Sequence, residues 1–268
     1  MTLEWLLVAE LLLLGTVAGF LAGLLGVGGG MMMVPFMTML LDHKGYPAEH
    51  VVKMAIGTSL ATICFTSVSS VRAHHSHGAV RWDIVRRMAP AIVPASYAGA
   101  WLATRIDGRL LAALFAVFVG WSATRMLRGR KPRPTRQLPG RAGMAAAGSA
   151  VGVASGMTGA GGAFVSVPFM AACNVPIHNA VATSAALGFP VAVAGSIGYI
   201  VNGWALALPA SLGYIYLPAL LVVSAASVLA APRGARAAHR LDVRRLQRAF
   251  AVLLYGLAGY MLYKGWRG

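Results

Sequence analysis

Charge is what this sequence has least of. Lys, Arg, Asp and Glu make up 11% of its 268 residues, and only seven are acidic. A soluble domain covers its surface with charge on about a quarter of its residues, so that class is excluded. The strict apolar–polar alternation of a transmembrane barrel is also missing. Only two cysteines occur, Cys64 and Cys173, both in apolar stretches, so there is no disulfide framework and they read as small packing residues. The first ten residues carry Glu4 and Glu10 but no Lys or Arg, unlike a cleaved signal peptide. No G-x-S-x-G elbow appears, and the histidine nearest an apolar segment, His178, stands at its beginning, which argues against an intramembrane serine protease.

Apolar runs are abundant. Hydrophobic residues form 58% of the chain, in stretches near the ~20 residues that cross a bilayer. The sequence therefore predicts a multi-pass helical membrane protein. The formal net charge of +16 does not point to nucleic acid, because the basic residues cluster between apolar runs. Of the 23 Lys and Arg, 17 lie in 72–87, 125–141 and 233–248.

The chain repeats itself. Gly19 to Met37 reads GFLAGLLGVGGGMMMVPFM, and 133 residues later Gly152 to Met170 reads GVASGMTGAGGAFVSVPFM. Five glycines and the Val-Pro-Phe-Met tail coincide, while Gly30 becomes Ala163. Lys53 to Ser59 aligns with His178 to Ser184, and RIDGRLL (105–111) with RLDVRRL (240–246). Each half then holds five apolar segments: 3–25, 31–41, 51–71, 88–103 and 110–126, and again 142–158, 164–173, 177–201, 208–231 and 250–263. The division is 1–127 for the first repeat, 128–141 for a basic, proline-bearing linker and 142–268 for the second repeat. If the three basic loops are cytoplasmic, the first half begins outside and the second inside. The expectation is an all-α polytopic protein of two inverted five-segment repeats, whose glycine-broken hairpins meet near the midplane.

Irregular backbone at membrane depth needs protein or a water-filled space around it. Glycine admits unusual dihedrals and close approach. A helix restarting after such a break leaves its first amides without intrahelical partners, an end suited to an anion. Gly26, Gly28, Gly29 and Gly30, with Gly159, Gly161, Gly162 and Ala163, are therefore the candidate pocket. Gly19, Gly23, Gly152 and Gly156 have the small-xxx-small spacing of close helix packing. No strand precedes either run and no Lys-Ser/Thr follows, so neither is a phosphate loop.

The doubled pattern G-xxx-G-xx-G-x-GG-x(4)-VP, with a Thr-Ser pair on the following segment, resembles the TauE/SafE family of sulfite exporters and toluene-sulfonate uptake permeases. The resemblance covers nearly the whole chain. It implies a multi-pass transporter of a bacterial cytoplasmic membrane for small sulfur-containing or organic anions, such as sulfite, sulfonates or sulfoacetate, with no cofactor and no catalysis. Direction and coupling ion stay open, and a homodimer has room beside the membrane lipid.

Further candidates follow from chemistry. Thr58, Ser59, Thr183 and Ser184 offer hydroxyl donors to anion oxygens, or pack between helices. Lys53 and His178, at matching places, balance substrate charge or snorkel to the interface. Glu10 is the carboxylate well inside an apolar run and a proton-relay candidate. The rival readings are an anion channel and a metal transporter built on His74, His75 and His77, a cluster that otherwise reads as a solvated loop.

Overall fold

The computed structural model describes residues 5–25, 29–128, 137–237 and 243–267. Among them are ten α-helices and one two-stranded ribbon. The first half holds α1 (Trp5–Leu25), α2 (Gly30–His43), α3 (Ala48–His75), α4 (Trp82–Arg105) and α5 (Gly108–Arg128). The second holds α6 (Arg141–Thr158), α7 (Ala163–Ala172), α8 (Ile177–Gly203), α9 (Leu217–Ala237) and α10 (Val243–Arg267). The ribbon β1 (Ser211–Leu212) and β2 (Ile215–Tyr216) lies between α8 and α9. Five helices (α1, α3, α5, α8 and α9) are long and apolar enough to cross a membrane. Leu13, Val117, Leu221 and Leu229 stand exposed on outer faces, as lipid contact requires. The chain is a multi-pass, all-helical membrane protein.

Two helices fall short of a span. At ~1.5 Å per residue, α2 is about 21 Å long and α7 about 15 Å, against a hydrocarbon core of about 30 Å. Both begin at depth. A Cβ on Gly29 would lie 2.8 Å from the Ala18 carbonyl oxygen, two turns back from the end of α1. A Cβ on Gly162 would lie 2.8 Å from Val151 Cγ1, two turns back from the end of α6. The glycine breaks thus fold the chain back on itself. Pro35 and Pro168 each occupy the sixth residue of α2 and α7, and each removes one amide from the ladder of an already short helix.

Several boundaries differ from the sequence expectation. The basic stretches 72–87 and 233–248 are not single loops: α3 continues through His75 and α4 starts at Trp82, while α9 runs to Ala237 and α10 starts at Val243. The apolar run from 208 does not open a helix, because Ala210 (φ 50) and Gly213 (φ 57) turn the chain into the ribbon, which seats against the end of α8. Helix α9 therefore begins only at Leu217. These changes share one cause, since neither basic nor apolar composition shows where a helix starts or ends.

Helix pairing follows the glycine stripes. Gly15, Gly19 and Gly23 of α1 meet Val223, Ser227 and Ala231 of α9, so the two run parallel. Gly148, Gly152 and Gly156 of α6 meet Met88, Ile92 and Ser96 of α4, again in parallel. By contrast, α3 and α8 cross in opposite directions: Gly57 faces Tyr199, Leu60 faces Gly195 and Ser67 faces Gly188. Thr66 and Ser69 of α3 bond Ser227 Oγ and the Val228 carbonyl of α9, each at 2.8 Å, and Ser96 of α4 donates to the Val191 carbonyl of α8 at 2.8 Å, so the two central helices carry the paired outer ones.

A stripe this tight leaves no room for a methyl group. A Cβ on Gly19 would come 2.5 Å from Ser227 Cα, and one on Gly152 would come 2.7 Å from the Ile92 carbonyl oxygen. Gly19→Ala and Gly152→Ala are each expected to destabilise the protein by ~1–3 kcal/mol through overpacking. Thermal unfolding in detergent checks this, and an unchanged midpoint would mean the stripes are slack.

Candidate functional site

The two breaks meet in the middle of the molecule. Gly29 (φ 72) is the N-cap of α2, and its carbonyl accepts from the amides of Met32 and Met33. Gly162 (φ 83) is the N-cap of α7 and accepts from Val165 and Ser166. Gly159 (φ 68) caps the end of α6, and Gly161 (φ 64) also lies in the left-handed region. An L-residue there would cost ~1 kcal/mol or more, which is why these positions are glycine. Gly30 has another reason: a Cβ on it would overlap the carbonyl oxygen of Gly159. Ala163, its counterpart in the second break, is fully enclosed with its methyl group in place. Gly26 and Gly28 lie outside the described residues.

Central helices α3 and α8 hold this junction with hydroxyls. Ser59 Oγ donates to the Gly159 carbonyl at 3.1 Å, which ties α3 of the first half to the break of the second. Ser184 Oγ accepts from Ser166 Oγ, in the first turn of α7, at 2.8 Å. The threonines do something else. Thr58 Oγ1 accepts from the Tyr216 amide at 2.9 Å, and Thr183 Oγ1 accepts from the Arg81 amide at 3.0 Å. Each anchors the strap that leads into α9 or α4. The Thr-Ser pairs thus divide between strap and break.

Beside Gly161 lies a small cavity of ≈ 10 Å³, room for about one water molecule. Thr66, Ser67 and Ser70 of α3 line it, with Ser184 and Gly188 of α8 and Ala22 of α1. Its polar lining is hydroxyl and backbone, with no charged side chain. Thr66 and Ser67 already bond the Thr62 and Cys64 carbonyls. Ser70 is 2% exposed, and among the described residues its Oγ has no hydrogen-bond partner. A buried, unsatisfied hydroxyl costs ~1–3 kcal/mol. Ser70 lines the cavity and is a residue that sequence reading missed. Its signal is the 63-66-67-70 spacing, which puts four residues on one helix face.

The charged candidates lie elsewhere. Lys53 Nζ donates to the Thr104 carbonyl at 2.9 Å, joining α3 to the far end of α4, within electrostatic reach of Glu49 and Asp107. His178 is exposed at the start of α8, and Glu10 is exposed on α1, early in the helix and far from its broken end. None of the three lines the cavity.

The histidines diverge. His74 is 3% exposed, and its Nε2 lies 3.1 Å from the Gly23 carbonyl, near the end of α1. It packs in the protein, contrary to the solvated loop expected for this stretch, because α3 runs on past it. The Trp82 indole N–H donates to His75 Nδ1 at 3.2 Å, and His77 Nδ1 lies 2.9 Å from the Ala73 carbonyl. Among the described residues no three His, Cys, Asp or Glu side chains gather as metal ligands would.

Comparison with known proteins agrees with this architecture. The profile of the sulfite exporter TauE/SafE family matches residues 11–261. A probable membrane transporter protein of Haemophilus influenzae is 37% identical over 256 residues, spanning 94% of this chain and 97% of its own. Another so described, from Methanocaldococcus jannaschii, is 26% identical over 97% of both chains. No solved structure matches. The chain belongs to the sulfite exporter TauE/SafE family of membrane transporters.

Proposed function

We propose that the protein is a secondary transporter of small sulfur oxyanions, with sulfite or a small sulfonate as cargo and export as its direction. The observation that carries this reading is the junction of the two breaks: two helix starts at positive-φ glycines, beside a cavity that offers hydroxyls without charge. A hydroxyl with an unused proton suits a desolvated oxyanion, because it donates without fixing the anion by a full opposite charge. Ser70, Ser184 and the backbone around Gly161 are the binding groups in this reading. Ser59 and Gly30 hold the junction, and the Gly29 and Gly162 turns aim the amides of α2 and α7 towards it. Lys53, His178 and Glu10 have no contact with the cavity and are left without a binding role. Room for about one water means that the site is closed, which suits a gated carrier better than an open channel.

The two halves act as inverted repeats in this scheme. The antiparallel α3–α8 crossing and the matched parallel pairs α1–α9 and α4–α6 support that reading, as does the return of both breaks to one centre. Rocking one set of pairs against the other would open the centre to alternate sides. The end holding Arg72, Arg81, Arg125, Arg141 and Arg233 is the cytoplasmic one.

Proteoliposomes loaded with labelled anions test the cargo. Sulfite or a short sulfonate should move faster than chloride or acetate, and Gly162→Val, which forces a β-branched residue to φ 83, should abolish that flux while the protein still inserts. Equal movement of every anion would contradict the assignment.

Ser70→Ala gives a test with two readouts of opposite sign. Removing an unsatisfied hydroxyl should leave the unfolding midpoint unchanged or raise it, while one lost charge-assisted hydrogen bond weakens sulfite binding about tenfold. Lower stability with unchanged affinity would make Ser70 a packing residue.

Orientation is checked with single cysteines in a protein lacking Cys64 and Cys173. Lys44→Cys should react with an impermeant maleimide from outside, and Ser76→Cys only from inside. Labelling of both from one side would defeat the inverted arrangement.

A further inference from the structure

We propose that the groove between α3, α8 and α9 is a binding site for an anionic phospholipid of the leaflet at the basic end, with its phosphate on Arg72 and an acyl chain along Phe65 and Phe189. This groove is separate from the hydroxyl cavity. It has a volume of about 610 Å³ and is formed by Cys64, Phe65, Val68 and Arg72 of α3, Phe189 of α8, and Val228 and Pro232 of α9. The residues of α3 alternate between the two sites: 63, 66, 67 and 70 face the cavity, whereas 64, 65, 68 and 72 face the groove.

Its chemistry is graded along its length. The floor at Cys64 and Phe65 lies near the middle of α3, and Phe189 lies near the middle of α8. Phe65 is 52% exposed and Phe189 44%, so both rings stand open to the hydrocarbon phase around them. Two turns along α3, about 12 Å further, the apolar wall ends at Arg72. This side chain is exposed, and among the described residues it makes no ion pair. Arg233 and Arg236 stand exposed in the last turns of α9, beside Pro232 of the rim, and their guanidinium groups bond back to the Leu229 and Pro232 carbonyls of their own helix. The rim therefore carries one guanidinium group, Arg72, with Arg233 and Arg236 following Pro232 along α9, and the wall below it is mainly aromatic and aliphatic.

An occupant must match both parts. A small free anion would satisfy Arg72 and make no use of the apolar wall that runs from it to Phe65 and Phe189. A neutral lipid would cover the rings and offer the guanidinium only a charge-balanced headgroup. An anionic glycerophospholipid supplies the acyl chain and the unbalanced phosphate in the right order and at the right depth. Because α3 carries both sites on opposite faces, a lipid seated here braces the helix that contributes Ser67 and Ser70 to the cavity.

The test uses the full-length protein stripped of lipid in detergent and offered phosphatidylglycerol and phosphatidylcholine with the same acyl chains. Native mass spectrometry should show one phosphatidylglycerol retained about tenfold over phosphatidylcholine. Alkylation of Cys64 by N-ethylmaleimide should slow about fivefold when phosphatidylglycerol is bound. Cys173, 7% exposed, serves as the internal reference. Arg72→Gln, a surface change, should erase the preference between the lipids, and Val68→Trp, which fills the groove, should reduce retention of both. Equal retention by the wild-type protein, or a preference that survives Arg72→Gln, would overturn the proposal. So would protection of Cys64 by inorganic phosphate alone, which would make the site one for a free anion. These outcomes are independent of sulfite flux, so the cargo assignment and the lipid site fail separately.

Discussion

Backbone polarity at membrane depth is the constraint that the rest of this structure obeys. A helix that starts inside a bilayer leaves amides that no water can reach, so something in the protein must surround them. Here α2 and α7 both start at depth, and both start at glycines in the left-handed region, Gly29 and Gly162. Their breaks can come together only because Gly30 has no Cβ where the Gly159 carbonyl lies, and because Ser59 satisfies that carbonyl. The long helices α3 and α8 then cross at the junction and supply its hydroxyls. The parallel pairs α1–α9 and α4–α6 close around them on stripes of glycine.

Hydroxyls in place of charges give the proposed site its character. A buried lysine or arginine would hold an anion too firmly to release it, and would carry a desolvation cost of several kcal/mol when empty. An unpaired serine costs ~1–3 kcal/mol, small enough to leave in place between transport cycles. Most basic residues, 17 of the 23 Lys and Arg, lie in the three stretches between apolar runs, and none lines the cavity. In the proposed cycle the breaks bind, the central helices carry the donors, and the outer pairs move.

Most of the fold was legible in the residues, and the rest has identifiable reasons. The ten segments could be read because each half repeats the glycine run and its Val-Pro-Phe-Met tail. The packing role of Gly19, Gly23, Gly152 and Gly156 follows from four-residue spacing alone, and each of them abuts a neighbouring backbone. The extra turns of α3 through His75 and the ribbon before α9 were hidden, since apolar or basic composition does not reveal where a helix caps. Thr58 and Thr183 were matched as a pair, but their bonds to the Tyr216 and Arg81 amides depend on straps distant in sequence. Ser70 is not legible in the sequence, because only the fold encloses its hydroxyl and leaves it without a partner among the described residues. Lys53 drew attention by its charge, yet the Thr104 carbonyl holds it away from the junction.

The central claim is that an oxyanion binds where the two breaks meet. Selenite carries the shape and charge of sulfite with a heavier, anomalously scattering centre. A crystal of the protein grown with selenite should therefore show one anomalous peak within hydrogen-bond distance of the Ser70 and Ser184 hydroxyls, beside Gly161. A peak confined to the arginines at the basic end, with none at the junction, would contradict the account.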